Sequence, residues 1–245
     1  MVVIGDIAGQ FDALMRLVRK FKPDEKIVLV GDLVDRGPDS KKVVEWAMTA
    51  KNVVTLFGNH ESLMIDAWMY SCDYNYERIY SGDDWLNNGG MATIQSYWQD
   101  EGLTFSEALR RIPVEHIEFL RTRPLTYQED GLFVSHAPWD QNAKTDLERI
   151  WHRNEPKKMP GVKQIFGHNA HWGLRSFYDE EGIWAQCIDQ SHYKVLTAWH
   201  DGEIIVEPYR YNAQMTQTFE GKEARLFIDG QEIKAMSDVS IGEGE

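Results

Sequence analysis

The sequence predicts an α/β protein built around a parallel sheet, and three observations predict it. Three apolar runs each end in glycine and a polar residue. They are Val2-Val3-Ile4 before Gly5-Asp6, Ile27-Val28-Leu29-Val30 before Gly31-Asp32, and Val53-Val54-Thr55-Leu56-Phe57 before Gly58-Asn59. The polar residues stand at positions 6, 32 and 59, spaced 26 and 27 residues apart, close to the length of one βαβ unit. The runs are apolar throughout rather than alternating, which suits strands buried on both faces. With 245 residues, 42% of them hydrophobic, the chain suits one large domain with a sizeable core better than two small ones.

The elements follow in order. After the first run, Phe11, Leu14, Met15, Leu17, Val18 and Phe21 recur at helical spacing, and Pro23 stops that helix. After the second, Ser40 is expected to cap a helix carrying Val43, Val44, Trp46 and Ala47. Residues 66–128 are rich in aromatics and turn residues, and read as a mainly helical insertion. Within it, Ser106 is expected to cap a short helix, and Val114 to Leu120 form another. Strands then return at Leu132-Phe133-Val134-Ser135, at Gln164-Ile165-Phe166, and from Trp184 to Ile188, Lys194 to Trp199 and Glu203 to Glu207. The last three are expected to form an antiparallel meander, with Asp201-Gly202 as a hairpin turn. A final hairpin is expected from Arg225 to Ile228 and Gln231 to Ile233, around Asp229-Gly230. A single domain over residues 1–236 and a loose acidic tail over 237–245 complete the expected organisation.

Composition narrows the partners. Lysine plus arginine total 26 and aspartate plus glutamate 39, a net charge of -13. That excludes non-specific binding to nucleic acid or anionic membranes, so local positive charge must come from metal ions and a few arginines if the protein handles phosphate. No run approaches the roughly 20 apolar residues of a membrane helix, and Met1 to Asp6 does not read as a signal peptide; a cytoplasmic monomer is expected. Cys72 and Cys187 lie in no CxxC pattern, so both are expected to be free thiols.

Strands of a parallel sheet bring their carboxyl ends to one edge, where ligands bind. Asp6, Asp32 and Asn59 would converge there, joined by His136 after one later strand and His168 after another. Each alone is most simply a turn or structural residue. Together, two carboxylates, an amide oxygen and two imidazoles make a mixed oxygen and nitrogen donor set, better suited to manganese, iron or zinc than to calcium.

The motifs are more specific. Gly31-Asp32-Leu33-Val34-Asp35-Arg36-Gly37 and Gly58-Asn59-His60-Glu61 resemble the GDxxDRG and GNHE signatures of the phosphoprotein phosphatases. Gly5-Asp6-Ile7-Ala8-Gly9 resembles their GDxHG motif, and Ser135-His136-Ala137 and Gly167-His168 their two later histidine motifs. The resemblance spans residues 2 to 200 and is closest to the compact bacterial and phage enzymes, relatives of the diadenosine tetraphosphate hydrolases. It implies a metallophosphoesterase sandwich of two mixed β-sheets flanked by helices.

It further implies two divalent ions, manganese first with iron or zinc as alternatives. Asp32 would bridge them, with Asp6 on the first and Asn59, His136 and His168 on the second. A metal-held hydroxide would attack phosphorus directly. His60 would be the general acid, oriented by Asp35. Arg36 and Asn59 would bind phosphate. Arg153 resembles a second phosphate arginine of the phage-type enzymes; the alternative is a plain surface arginine.

The resemblance is broken at three places. Ala8 stands where the family has a metal-binding histidine, so the first site is expected to be weakened and this form impaired or inactive, whether by engineering or by nature. Phe57 stands where protein phosphatases often have arginine before GNHE, which shifts weight toward nucleotide hydrolysis. Asp189-Gln190-Ser191 replaces a small Asp-Thr-Gly turn, with no evident mechanism. Three functions are thus in view: a phosphomonoesterase acting on phosphoserine, phosphothreonine or similar esters; a dinucleoside polyphosphate hydrolase or RNA end phosphatase; and a catalytically silent phosphate-binding protein.

Overall fold

The computed structural model describes residues 1–81, 83–98, 102–171, 174–191 and 194–209, together with the backbone of three later strands, 215–220, 223–228 and 231–233. The first sheet has the order β10-β9-β1-β2-β3. Its parallel half is β1 (Val2–Ile4), β2 (Ile27–Leu29) and β3 (Val53–Thr55). Its antiparallel half is β9 (Val195–His200) and β10 (Glu203–Pro208), with β9 paired to β1. The second sheet has the order β4-β5-β6-β8-β7. Here β5 (Leu132–Ser135), β6 (Lys163–Phe166) and β8 (Gly182–Cys187) are parallel, while β4 (Thr126–Glu129) and β7 (Arg175–Asp179) are antiparallel edges. Each sheet is therefore mixed, as the motifs implied.

Side-chain alternation along the strands decides what packs where. Val2, Ile4, Ile27 and Leu29 turn to one face, against helices α1 (Phe11–Val18), α2 (Ser40–Thr49) and α3 (Asn59–Cys72) through Leu14, Leu17, Val43, Val44, Leu63 and Met64. Val3, Val28 and Val30 turn to the other face, against Val134 and Ile165 of the second sheet. A strand with apolar residues on both faces can hold two layers apart only in this way. The helical run of residues 66–128 contains the end of α3, then α4 (Asp84–Asn87), α5 (Gly90–Tyr97), α6 (Phe105–Arg110) and α7 (Val114–Arg121). Trp85, Ile94, Leu109, Ile117 and Leu120 from these helices join the same core as α1 and α2.

Several local expectations need correction. The meander fails at its first member: β8 pairs with β6 and β7 in the second sheet, while only β9 and β10 form the hairpin. That hairpin turns at Asp201 and Gly202, both at positive φ, as a tight hairpin with right-handed strand twist requires. Ser40 does not cap α2. Asp39 holds the N-cap position, and the Ser40 hydroxyl instead accepts the Asp35 backbone N–H at 3.1 Å. Thr104, not Ser106, caps α6, in a reciprocal pair with Glu107. The edge strands β4 and β7 and helix α8 (Asp146–Ile150) were not legible in the sequence. The expected last hairpin is present in its strands, β12 (Glu223–Ile228) and β13 (Gln231–Ile233), which pair antiparallel beside β11 (Met215–Glu220). Its turn, Asp229-Gly230, and the acidic tail lie outside the described residues. Cys72 and Cys187 are free thiols, and no helix among the described residues is long and apolar enough to cross a membrane.

Candidate metal and phosphate site

The carboxyl ends of both parallel strand sets meet at one edge. From the first sheet come Asp6, Asp32 and Asn59; from the second come His136 and His168. All five are at least 95% buried. Asp32, His136 and His168 each offer a donor atom within 4.8 Å of the others. Asn59 Oδ1 lies 2.9 Å from His136 Nε2 and 2.8 Å from His168 Nδ1. Asp6 lies beside this cluster, where its two carboxylate oxygens accept the His168 backbone N–H at 3.1 and 3.2 Å. Gly167 is required there, because a Cβ would collide with the Asp6 carboxylate.

The backbone is strained where it builds this edge. Ala8, Asp32, Asp35, Arg36 and His168 all have positive φ, five of the eight such non-glycine residues among those described. Left-handed conformations cost non-glycine residues free energy, and they cluster at sites where geometry matters more than local stability. Glu61 holds the strained turn in place: its carboxylate accepts the backbone N–H groups of Asp32, Leu33 and Gly58 at 2.7 to 3.0 Å. Burial, and then the Asp32 charge, push Glu61 up to about 8. The motif was legible in the sequence, but this role of its glutamate was not.

The donor set fits a divalent cation. His136 Nδ1 faces the Val30 carbonyl oxygen at 3.0 Å and must donate to it. Its Nε2 therefore presents a lone pair, aimed at Asn59 Oδ1 and, at 3.4 Å, at Asp32 Oδ1. Burial lowers the pKa of His136, and burial together with His136 lowers that of His168 to about 2, so neither ring supplies a second proton. His168 Nε2 is buried without a hydrogen-bond partner. Facing lone pairs and an orphaned ring nitrogen are costly in a protein interior, and a cation among them removes the cost. Nitrogen and oxygen donors without thiolate suit a transition metal such as manganese, iron or zinc.

Beside the donors lies a relay. Asp35 Oδ2 is 2.6 Å from His60 Nδ1. The Asp35 carboxylate also accepts Trp85 Nε1–H at 3.0 Å and the Thr93 hydroxyl at 2.7 Å. Thus α4 and α5 orient Asp35, a task that no sequence signal in residues 66–128 announced. Burial alone would lower the pKa of His60, but the Asp32 charge and the hydrogen bond to Asp35 outweigh it and hold His60 above its ordinary value. Arg36 Nη2 donates to His60 Nε2 at 2.9 Å, and the residue is exposed. Arg153 is exposed as well and lies close enough to His168 to depress its pKa. A cleft of about 520 Å³ opens beside the site, lined by Leu63, Tyr80, Asp84, Asn88, Leu147, Glu148 and Trp151. Trp151 stands edge-on to His168, with ring centroids 5.9 Å apart, and donates to the Tyr80 hydroxyl at 2.9 Å.

Comparison with known proteins agrees with this geometry. Residues 1–207 match the calcineurin-like phosphoesterase family. The chain is 38% identical over 181 residues to serine/threonine-protein phosphatase 1 of Salmonella typhimurium, covering 68% of this chain and 76% of that one. It is 30% identical over 138 residues to a symmetrical bis(5'-nucleosyl)-tetraphosphatase of Methylobacillus flagellatus, covering 55% of this chain but only 41% of that one. Among solved structures, a candidate diadenosine tetraphosphatase shares the fold with a TM-score of 0.61 at 22% identity, over 84% of this chain and 92% of that one. The chain belongs to the calcineurin-like phosphoesterases, metal-dependent hydrolases of phosphoesters.

Proposed function

We propose that this protein is a metal-dependent phosphomonoesterase acting on phosphoserine, phosphothreonine or similar esters. The observation that carries this reading is the relay Asp35–His60–Arg36 set against the buried donor cluster. Asp6, Asp32, Asn59, His136 and His168 would hold a pair of divalent ions, manganese being the first choice. Bound there, the ions would supply Lewis acidity toward the phosphoryl oxygens and lower the pKa of water.

The protein's own groups do the rest. Asp35 accepts the Nδ1 proton of His60 and so leaves Nε2 facing Arg36 and Asp32. Arg36 meets that nitrogen, and its planar fork matches two oxygens of a phosphate. A phosphate held by Arg36 would therefore place its leaving oxygen within reach of His60 Nε2. Once a phosphate takes the guanidinium from His60 Nε2, the raised pKa of His60 favours the protonated ring, whose Nε2–H can pass its proton to that oxygen as the ester bond breaks. Arg153, on the rim beside His168, would add a second cationic contact.

A specific feature favours a second reading, hydrolysis of dinucleoside polyphosphates. Trp151 and Tyr80 line the adjoining cleft, and aromatic faces stack on nucleobases. Phe57 also stands where an arginine would grip a phosphoprotein phosphate. The two readings separate in one assay: phosphate release from a phosphothreonine peptide against cleavage of diadenosine tetraphosphate, both with added manganese. Faster turnover of the peptide is expected; turnover of the dinucleotide alone would transfer the assignment to the second reading. Binding of phosphate with no turnover of either substrate, in the chain and in an Ala8→His variant, would reduce the protein to a phosphate-binding role.

A further inference from the structure

We infer that Trp85 and Thr93 are positioning residues for proton delivery to the leaving oxygen, and that the clamp they form favours alkyl phosphate esters over substrates whose leaving group needs no proton. This rests on the phosphomonoesterase reading of the site and deepens it.

The clamp comes from a part of the chain that carries no phosphatase motif. Trp85 lies on α4 and Thr93 on α5, 50 and 58 residues from Asp35. Trp85 is 1% exposed, and Asp35 and Thr93 are fully buried. The indole Nε1–H is shared between the two Asp35 carboxylate oxygens, 3.0 Å from each. The Thr93 hydroxyl donates to Oδ1 at 2.7 Å. Oδ2 also receives the Nδ1–H of His60, at 2.6 Å. A buried carboxylate fixed by three such donors has little freedom to turn, and the imidazole it holds has no more.

The direction of the Thr93 proton is fixed as well. Thr93 Oγ1 accepts the Asp35 backbone N–H at 2.8 Å, so its own hydrogen goes to the carboxylate. Ser40 Oγ, 3.0 Å away, must then be the donor to the remaining lone pair of Thr93 Oγ1. One threonine thus grips Asp35 at both ends, holding its backbone at a φ of 75° and aiming its side chain. The two helices are seated for the task. The Gly89 carbonyl oxygen, between them, accepts the Arg36 backbone N–H at 3.2 Å. Gly90 lets the indole lie against the start of α5, where a Cβ would come within 2.5 Å of the ring. The phosphate arginine and the carboxylate that orients the acid are therefore held by one short stretch, residues 85–93.

The chemistry decides what the clamp is for. Water adds its oxygen to phosphorus, and the ester P–O bond breaks with its electron pair left on the leaving oxygen. An alkyl oxygen needs a proton at that moment. His60 Nε2–H supplies it, while Nδ1–H stays with Asp35, and the products are the alcohol and phosphate. A ring turned slightly away delivers that proton poorly. An aryl oxide such as 4-nitrophenolate leaves without one. Loss of the clamp is thus selective by leaving group, whereas a loosened fold harms every substrate alike.

Steady-state kinetics with added Mn(II) test this, comparing a phosphothreonine peptide with 4-nitrophenyl phosphate in the chain and in an Ala8→His background. Thr93→Val keeps the shape and removes the hydroxyl; Trp85→Phe keeps an apolar ring and removes the N–H. Each is expected to lower kcat on the peptide about 10-fold with little change in KM, and to lower it several times less on 4-nitrophenyl phosphate. Thr93→Ser, which retains the hydroxyl, should recover most of the peptide rate. Melting temperatures show which variants are folded, and either one carries the test if the other is not. Equal losses on the two substrates, a loss in KM alone, or no loss at all would overturn the inference. So would a Thr93→Ser variant no faster on the peptide than Thr93→Val. A parent that turns over neither substrate in either background would overturn the phosphomonoesterase reading, and this assignment with it.

Discussion

The two poles of the site are held by opposite physics. At one pole, the imidazoles of His136 and His168 close on Asn59 Oδ1, His136 with its Nδ1–H given to the Val30 carbonyl oxygen and its Nε2 lone pair inward. At the other, Asp6 is buried, its carboxyl pushed up by burial and by the charges of Asp189 and Asp32, and Ala8, two residues on, has no donor atom. The first pole is short of protons and the second has an excess of negative charge. Either deficit is relieved by a cation, but the imidazole pole is preorganised by hydrogen bonds whereas the carboxylate pole repels itself. The two ions are therefore expected to differ in affinity, with the imidazole pole the tighter.

Asp32 is the residue proposed to serve both poles, and its loss should produce the largest effect. Asp32→Asn is expected to lower kcat/KM on an aryl phosphate more than about 100-fold, since loss of a mere supporting partner of a metal ligand already costs about 10–100-fold. Mn(II) binding should fall at both positions rather than one. Retention of one position at full affinity would show that the poles are independent.

Asp35→Asn leaves both poles intact and breaks the relay. A fall in kcat of about 100-fold is expected, within the ordinary span of general acid catalysis. The pH profile gives the sign. Asp32 and Asp35 hold the His60 pKa up, so activity that needs protonated His60 persists to a higher pH and is lost above that pKa. Without the Asp35 charge, the alkaline limb of kcat against pH should move to lower pH. An unmoved limb would remove His60 as the acid.

Ala8→His should narrow the difference between the poles. A gain of about 10-fold in Mn(II) affinity at the weaker position is expected, with a rise in phosphate release. No gain in either would mean that position 8 does not face the metal, and the two poles would then be alike in needing nothing from it.

The smallest effect lies outside both poles. His116 is buried against the Tyr97 hydroxyl, 2.7 Å from its Nδ1, and burial lowers its pKa. The unfolded chain then binds the proton more readily than the folded one. His116 thus costs stability as pH falls below the ordinary histidine value near 6.5 and on through its folded pKa, and the cost is absent above that range. His116→Gln should flatten the change in melting temperature between pH 7 and pH 5 by a few °C at most. An unchanged slope would place the acid sensitivity at the metal edge instead.

Much of this site could be read directly from the sequence, for one reason. Asp6, Asp32, Asn59, His136 and His168 each follow an apolar strand within four residues, and strand ends in a parallel sheet share an edge. Spacing along the chain therefore mapped onto proximity in space. The repeat of Gly5-Asp6, Gly31-Asp32 and Gly58-Asn59 carried the first sheet on its own. Where the mapping failed, the partner was distant in sequence. Nothing near Asp35 says that Trp85 and Thr93 will hold its carboxylate. The sequence joins the strand from Trp184 to Ile188 to β9 because the two are adjacent in sequence, yet β8 belongs with β6 in the other sheet.

The sequence by itself determined the chemistry: which atoms can donate to a metal, which ring can carry a proton, and which position, Ala8, can do neither. Those are properties of side chains and survive any folding. The tertiary structure alone decided which of them face one another. Burial between two sheets strips away water, and only then do facing lone pairs and like charges become costly enough to favour a bound ion.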